Sequence, residues 1–168
     1  MGLIRVTWDG KGMYIRLAEK RDCLDLWKWR NDYKAVINSI SRSVVPYQSH
    51  SKWFNRLINK TDAEIFIAYD KKEKTKIGMV RFERKARKVS EVSININPHF
   101  RGKGLGREFL SRSIATFFKS KPGFVVKARV LIKNHRSNRL FKSCGFGVSS
   151  VRDKIVHYTL KGGSKGDK

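Results

Sequence analysis

The stretch NPHFRGKGLGREFL, residues 97–110, decides the fold because it joins a strand pattern to a helix pattern through three alternating glycines. Residues 88–97, KVSEVSININ, alternate apolar and polar side chains, which predicts a strand with one apolar and one polar face. Residues 105–118 repeat apolar side chains at helical spacing, and the Pro-Gly pair that follows ends the pattern. The junction is therefore predicted to be a glycine-rich turn from a strand into a helix.

Glycines and positive charge at such a junction suit an anion. The N–H groups at a helix N-terminus form a concave anion site, and glycines let a phosphate approach the backbone without Cβ obstruction. Arg101, Lys103 and Arg107 lie where the helix dipole disfavours cations unless an anion sits among them. The alternative is an exposed turn in a basic protein. The glycine spacing matches neither a P-loop nor a dinucleotide fingerprint.

Working outward from the junction, the patterns predict alternating strands and helices. Before the junction, the patterns predict a strand pair in residues 3–18 around an Asp9-Gly10 turn, helices over 21–31 and 49–60, and strands over 64–70, 76–84 and 88–97. After the junction helix they predict a strand over 124–132, a short helix over 137–144, and strands over 146–153 and 154–161. Ser49 is predicted to cap the helix over 49–60, and Asn134 the short helix. A strand, helix and strand around the junction predict a right-handed crossover between parallel neighbours. We expect one α/β domain over 1–160 and a flexible basic tail over 161–168.

Composition limits the function classes. The 168 residues are 40% hydrophobic, but no apolar stretch approaches the roughly 18 residues of a membrane span, and we expect a cytoplasmic protein. Two cysteines and four histidines show no ligand spacing, so we expect neither a disulfide framework nor a metal. The net charge of +24 attracts polyanions in general, and we expect nucleic-acid binding through it to be non-specific.

Two motifs together carry a resemblance to a known family. Residues 101–106, RGKGLG, resemble the R/Q-x-x-G-x-G/A acyl-coenzyme A signature of the GCN5-related N-acetyltransferases (GNAT). Residues 134–146, NHRSNRLFKSCGF, resemble the second motif of that family, at the expected distance of one helix and one strand. The resemblance runs from about Tyr14 to Leu160. Within the family, LWKWRND (26–32), HSKWF (50–54) and IGMVRFER (77–84) are similar to the branch that acetylates nucleotide-linked amino sugars, as in pseudaminic acid biosynthesis.

The resemblance implies a mixed central sheet of six to seven strands, helices on both faces and a splayed cleft for acetyl-CoA. It also implies a backbone N–H near Ile96 or Asn97 that stabilises the oxyanion. The residues expected to bind the coenzyme are Ile96, Asn97, Arg101, Gly102, Lys103, Gly104, Leu105, Gly106, Arg107, Asn134, Ser137 and Phe141. For Asn134, capping of the short helix is a competing role.

The chemistry needs a base and an acid. The resemblance places a carboxylate base on the polar face of the strand before the glycines, and Glu91 lies there. The alternative role for Glu91 is an ion pair with a neighbouring cation, such as Arg81, Arg84 or Lys88. The family's acid is a tyrosine, but this chain has Phe141 at that position. Water is one candidate for the acid. The other candidates are the side chains of Ser143, Tyr158 and His157.

The acceptor side is expected to use Arg30 and Asn31 from the first helix and Trp53 from the second, because the resemblance implies that these two helices wall the acceptor pocket. Arg81, in the predicted strand over 76–84, is expected to bind the acceptor as well. The resemblance therefore implies an enzyme that transfers acetyl from acetyl-CoA to a primary amine by direct attack in a ternary complex. We expect a small-molecule acceptor, a nucleotide-linked amino sugar. The alternatives are a protein N-terminal or ribosomal-protein acetyltransferase, and a non-catalytic nucleic-acid-binding module. The protein is expected to be a monomer or a homodimer.

Overall fold

The computed structural model describes residues 6–7, 12–70 and 74–162. Its elements in chain order are β1 (Val6–Thr7), β2 (Met13–Leu17), α1 (Cys23–Asn31), α2 (Tyr33–Ile37), α3 (Tyr47–Ile58), β3 (Ala63–Asp70), β4 (Lys76–Ala86), β5 (Val89–Ile96), α4 (Leu105–Ser120), β6 (Val125–Leu131), α5 (His135–Ser143), β7 (Gly147–Arg152) and β8 (Ile155–Lys161). Short 3-10 turns precede α1 and follow β5.

The strands form one mixed sheet in the order β1-β2-β3-β4-β5-β6-β8-β7. The pairing of β5 with β6 is parallel, and the other neighbouring pairs are antiparallel. The predicted α/β fold is confirmed, and the predicted crossover appears as α4 between the parallel strands β5 and β6. Within the described residues the sheet has eight strands rather than six to seven, because a two-residue strand, β1, extends one edge.

Helices cover both faces of the sheet. Along β3 the side chains alternate, so Phe66 and Ala68 pack in one apolar cluster with α4 and α5. Ile65 and Ile67 point to the other face and pack in a second cluster with α1 and α3. Phe109 in α4 is fully buried, and burial of a phenylalanine stabilises the fold by roughly 1.5–3 kcal/mol. The strand β3 is therefore buried on both sides, which explains its nearly continuous apolar sequence.

Some element bounds differ from the predictions. Helix α3 begins at Tyr47 with Pro46 at its N-cap, so Ser49 lies inside the helix and does not cap it. Helix α2 was not predicted, because five residues are too few to show a helical period; Asp32 caps it by accepting the Ala35 N–H. The Asp9-Gly10 turn falls outside the described residues.

Two residues of the predicted tail, 161 and 162, pair with the start of β6 and the residue before it. Lys161 pairs with Val125 at the end of β8, and the Gly162 N–H donates to the Phe124 carbonyl at 3.1 Å. Residues 163–168 lie outside the part of the chain that the structure describes.

A buried ion cluster holds β2 and β4 to the start of α1. Arg16 donates to both carboxylate oxygens of Asp22, at 2.7 and 2.8 Å, and also to the Tyr69 hydroxyl. Lys76 adds a second cation 2.8 Å from Asp22, which is completely buried. Because a buried charge is tolerated only when it is paired and hydrogen-bonded, each member of this cluster depends on the others.

In residues 6–7, 12–70 and 74–162, no helix is both long enough and apolar enough to cross a membrane. Over the same residues, no group of three or more His, Cys, Asp or Glu side chains could hold a metal ion. Cys23 and Cys144 are both free thiols.

Candidate active site

A gap opens between the two parallel strands in the middle of the sheet. Strand β5 pairs with β6 only from Val89 to Glu91, although β5 continues to Ile96. Beyond Glu91 the strands have no further paired residues, so the sheet is split along the second half of β5. This is the splayed cleft that the fold class implies, and Glu91 occupies its closed end.

The backbone of Ile96 faces this gap. The Asn97 N–H donates to the Ile77 carbonyl of β4 at 2.9 Å. Since hydrogen-bonded positions alternate along an antiparallel pair, the backbone groups of Ile96 point away from β4 and toward the gap. Of the two predicted oxyanion donors, Ile96 is therefore the one available.

Asn97 has a structural role instead. Its side-chain amide donates to the Lys76 carbonyl at 2.7 Å, and its side-chain oxygen accepts the His99 N–H at 3.2 Å. The residue is 7% exposed. Its polar groups bind β4 to the turn before the glycine loop, which leaves them little access to a ligand.

The glycine loop has the shape that a phosphate requires. Gly102 and Gly104 adopt positive φ angles of 84° and 76°, and apart from their chain neighbours no atom of the described residues lies within 4 Å of a Cβ built on either one. Gly104 is the N-cap of α4 and supplies no side-chain cap, so the first N–H groups of the helix are uncapped. A Cβ on Gly106 would instead contact Leu140 and Ile96, at 3.7 and 3.9 Å. The first two glycines leave space for a ligand, whereas the third packs against α5 and β5.

The three loop cations play different parts. Arg101 donates from Nε to the Ile96 carbonyl at 2.9 Å and from Nη1 to Asp32, while its Nη2 is buried and has no partner in residues 6–7, 12–70 and 74–162. Lys103 lies over the Phe100 ring, 4.8 Å from its centroid, and Arg107 is exposed. Arg101 therefore holds the loop against β5, and Lys103 and Arg107 remain accessible to phosphate oxygens. Leu105 packs against the core.

Asn134, in the second motif, caps α5. Its side-chain oxygen accepts the Ser137 N–H at 3.1 Å, which is the capping role. No described residue accepts a hydrogen bond from its side-chain NH₂, so the amide could still donate to a ligand. Ser137 is half-buried at the same helix start.

Phe141 is a core residue rather than a cleft residue. It is 3% exposed, and its ring packs edge-on against Phe146 and stacks with Tyr158, with centroids 5.1 and 5.9 Å away. The apolar face of the amphipathic helix α5 places it there. It offers a coenzyme almost no surface, which argues against the predicted contact.

Two of the three candidate acids already donate hydrogen bonds within the protein. The Tyr158 hydroxyl donates to Asn138 at 2.8 Å, and burial raises the pKa of Tyr158. The Ser143 hydroxyl donates to the Leu140 carbonyl at 2.8 Å. His157 is adjacent to Tyr158 on β8 and so faces the opposite side of the sheet, where it lines a cavity with Glu91. This arrangement leaves water and His157 as the candidate proton donors.

Glu91 forms a bidentate ion pair with a residue that the sequence did not single out. Arg129 on β6 donates from Nε and Nη2 to the two carboxylate oxygens, at 2.8 and 3.1 Å. These hydrogen bonds raise the pKa of Arg129. Glu91 is half-buried and shares its face of β5 with Ser93 and Asn95. The carboxylate is thus held by an arginine across the closed end of the gap.

Arg81 and Trp53 lie next to this face. The Arg81 guanidinium carbon is 5.1 Å from the Trp53 ring centroid, and Arg81 is directly opposite Ser93 in the sheet. The Arg81 Nε and the Ser93 hydroxyl are both buried, and no residue that the structure describes is a hydrogen-bond partner of either. Burial lowers the pKa of Arg81, with the attraction of Glu83 and Glu91 acting in the other direction. An anion or a hydroxyl from a ligand would satisfy both groups.

The end of α1 supplies a second unsatisfied arginine. Arg30 donates from Nη2 to the Ser41 hydroxyl at 2.9 Å, but its Nη1 is buried with no hydrogen-bond partner in the described part of the chain, and burial lowers the pKa of Arg30. Asn31 exchanges two hydrogen bonds with the Val45 backbone, both at 2.8 Å. Asn31 therefore anchors the loop before α3, whereas Arg30 retains a free donor.

Sequence reasoning did not identify three residues that shape the site: Arg129, Asp32 and Gly78. Gly78 had a signal, because a glycine inside a strand pattern marks a close backbone approach. A Cβ on Gly78 would lie 2.6 Å from the Asn95 carbonyl oxygen, beside the strand end that presents Ile96. The pairing of Arg129 with Glu91 depends on strand register and had no local signal.

Comparison with solved structures supports the same architecture. The spermidine N-acetyltransferase of Vibrio cholerae, solved in complex with CoA and spermine, superposes with a TM-score of 0.79 at 18% identity, covering 89% of this chain and 95% of that one. A domain from Methanocaldococcus jannaschii DSM 2661 superposes with a TM-score of 0.77 at 23% identity, covering 90% of this chain and 99% of that one. The ribosomal-protein-S5-alanine acetyltransferase of Vibrio fischeri superposes with a TM-score of 0.77 at 18% identity, covering 93% of this chain and 96% of that one. At these identities the likeness shows the fold.

Sequence comparison settles the family. No curated protein matches the chain closely enough to count as a relative. The family model of the acetyltransferase (GNAT) domain, however, matches residues 13–147, which include β2, the split sheet, the glycine loop and α5. The chain belongs to the GNAT family and is an N-acetyltransferase that transfers an acetyl group from acetyl-CoA to an amine.

Proposed function

We propose that the acceptor is a small molecule with both a primary amine and anionic groups, and specifically a nucleotide-linked amino sugar. The observation that carries this proposal is the pair of arginines on the acceptor side, Arg30 and Arg81, each with a buried nitrogen that has no hydrogen-bond partner among the described residues. A buried, unpaired donor on a charged group is costly, so an anionic ligand that accepts from it gains affinity. The exposed part of Trp53 offers a surface for stacking.

The same charges argue against a polyamine. Spermidine and spermine, the substrates of several structural neighbours, are polycations at neutral pH. Here Arg30, Arg81 and Arg129 lie around the acceptor side, in a protein of net charge +24. Like charges in a partly desolvated site repel strongly, so polyamine binding would be disfavoured. An acceptor with phosphate or carboxylate groups has the complementary charge.

The residues of the chain suit an acetyl transfer by direct attack. Acetyl-CoA supplies an acetyl group that is activated as a thioester. The uncapped N–H groups of α4, together with Lys103 and Arg107, would hold its pyrophosphate. The Ile96 N–H would donate to a carbonyl oxygen that gains negative charge. Glu91 would accept the proton of the attacking amine, directly or through a water molecule.

An acceptor panel tests this proposal. Purified protein, acetyl-CoA and one amine are mixed, and thiol release is followed at physiological salt. The amines are UDP- and dTDP-linked amino sugars, spermidine, and a peptide with an N-terminal alanine as a ribosomal-protein mimic. We expect the highest kcat/KM with a nucleotide-linked amino sugar and negligible turnover of spermidine. A higher kcat/KM with spermidine or with the peptide would overturn the proposed acceptor.

A further inference from the structure

Beside Glu91, on the side away from Trp53, a second basic region opens in the sheet. A cavity of about 230 Å³ lies over strands β5, β6, β8 and β7. Its described lining includes Lys127, Arg129, Arg152 and His157. Among the lining residues that the structure describes, Glu91 is the one carboxylate. Three permanent cations therefore face one anion, and that anion is the candidate base.

Strand register explains why these side chains converge. Lys127 is the sheet partner of Glu91, and Arg129 is two residues further along the same face of β6. His157 on β8 is opposite Arg129, and Ser150 on β7 is opposite His157. At about 4.8 Å per strand, the polar face from β5 to β7 spans roughly 14 Å. The cavity is therefore a short groove that starts at the candidate base.

The groove contains hydrogen-bond donors that have no acceptor among the described residues. Arg129 uses Nε and Nη2 for Glu91, and no described residue accepts from its Nη1. Lys127 and Arg152 are exposed and have no ion-pair partner among the described residues. A bulge between Val148 and Ser150 interrupts the regular pairing of β7 at the groove, and such bulges redirect side chains. Guanidinium and ammonium groups around a small cavity form the kind of site that binds phosphate oxygens.

We propose that this groove is a phosphate-binding subsite, in which Lys127, Arg129 and Arg152 hold a phosphate group of the acceptor while its amine lies at Glu91. The volume is below the roughly 300–1,000 Å³ typical of pockets for whole drug-sized ligands, so the groove suits one part of an acceptor. The proposal deepens the proposed function and rests on it for the position of the amine. It adds a location for the phosphate and three residues that select for it.

Binding of inorganic pyrophosphate tests the subsite without any turnover. Calorimetric titration is carried out with the protein saturated with CoA, so that the glycine loop is already filled. The groove variant is Lys127→Gln with Arg152→Gln, which removes two exposed charges. The matched control is Arg84→Gln with Arg87→Gln, two exposed cations beside Asp62 on the β4–β5 hairpin. We expect the dissociation constant to rise at least tenfold in the groove variant and to stay within twofold of wild type in the control.

Equal weakening in both variants would overturn the subsite, because it would show only the general field of a basic protein. Unchanged binding in the groove variant would also overturn it. A short single-stranded oligonucleotide distinguishes the other source of phosphate. If the oligonucleotide but not pyrophosphate binds, and only the groove variant loses it, the groove contacts nucleic-acid backbone and the acceptor subsite is wrong.

Selectivity in turnover provides the second readout. Glucosamine and glucosamine 1-phosphate differ only by the phosphate, and the ratio of their kcat/KM values measures what that group contributes. We expect the groove variant to lower the ratio about tenfold through KM of the phosphorylated amine, with the ratio unchanged in the hairpin control. A ratio unaffected by the groove variant would overturn the subsite. Absence of CoA binding would overturn the proposed function instead, and the pyrophosphate titration without CoA would still report on the groove.

Discussion

Arg101 donates to the Asp32 carboxylate across 69 positions of sequence, and so joins the glycine loop to the N-cap of α2. Burial alone would raise the pKa of Asp32, but the hydrogen bond and charge of Arg101 and the backbone N–H donors of α2 hold it below its usual value. The same arginine donates to the Ile96 carbonyl. The Arg101 side chain therefore connects the glycine loop, the end of β5 and the start of α2.

This geometry predicts that Arg101 acts by positioning the loop rather than by charge alone. Lysine keeps the charge but cannot reproduce the two-armed contact of a guanidinium. We expect Arg101→Lys and Arg101→Gln each to raise the acetyl-CoA dissociation constant about tenfold, or ~1.4 kcal/mol. Calorimetric titration measures this value, with the hairpin variant Arg84→Gln as a control for lost charge. Wild-type affinity in Arg101→Lys would show that charge alone is needed.

The glycines of the loop should differ in what they tolerate. Gly104→Val introduces a β-branched residue at a φ of 76° and fills space that is open for a ligand, so we expect the acetyl-CoA dissociation constant to rise at least tenfold. Gly106→Ala adds a Cβ at ordinary contact distance from Leu140 and Ile96, and we expect less than a twofold change. Both variants are also unfolded in urea to separate binding from stability. Equal affinity in the two would contradict the phosphate cradle.

Glu91 and Glu83 are sheet partners on β5 and β4, which makes them a matched pair for testing the base. Glu91→Gln removes the proton acceptor at the closed end of the gap, and general bases typically contribute about 10²–10⁴-fold. We therefore expect kcat to fall at least a hundredfold with acetyl-CoA affinity nearly unchanged. Glu83→Gln, which loses ion pairs with Lys85 at 3.0 Å and with Arg81 at 3.8 Å, should keep wild-type kcat, because neither pair involves a proton acceptor for the amine. Undiminished turnover in Glu91→Gln at every pH would assign Glu91 to the ion pair with Arg129 alone.

Local sequence patterns predicted the fold well where the period was long or the motif specific. The 16 residues of α4 show four turns of apolar periodicity, and the predicted cap of α5 by Asn134 is present. Helix α2 was not predicted, because its five residues cover little more than one turn. Ser49 was predicted as the cap of α3, but the helix begins earlier. Pro46, three residues before Ser49, also favours a helix start, and it is the N-cap residue of α3.

The candidate site was less predictable, because its geometry comes from residues distant in sequence. Glu91 and the three glycines could be found from strand alternation and loop pattern. The partner of Glu91 could not, since Arg129 is 38 residues away and its pairing depends on the register of two parallel strands. Asn31 and Phe141 fit the family motif by position, but tertiary packing gives each a structural role.

The cluster of Arg16, Asp22 and Lys76 predicts that the stability of the fold decreases at acidic pH. Burial would raise the pKa of Asp22, but hydrogen bonds from Arg16, the Glu19 N–H and Lys76 outweigh it and hold the pKa below the ordinary 3.8. A carboxyl whose pKa is lower in the folded state stabilises the fold fully above its unfolded pKa. That contribution is lost as the pH falls through its folded pKa.

We therefore expect Asp22→Asn to lower the free energy of unfolding by roughly 3–5 kcal/mol at pH 7, because it removes the carboxylate that pairs with the buried Arg16 and leaves Lys76 with Asp25 alone. The difference from wild type should hold from pH 7 to about 5 and shrink below about pH 4. Urea unfolding at each pH measures it. The control is Asp153→Asn, at an exposed turn with a φ of 50° that asparagine adopts readily. A difference that stays constant down to pH 2 would show that the Asp22 charge is not what stabilises the cluster.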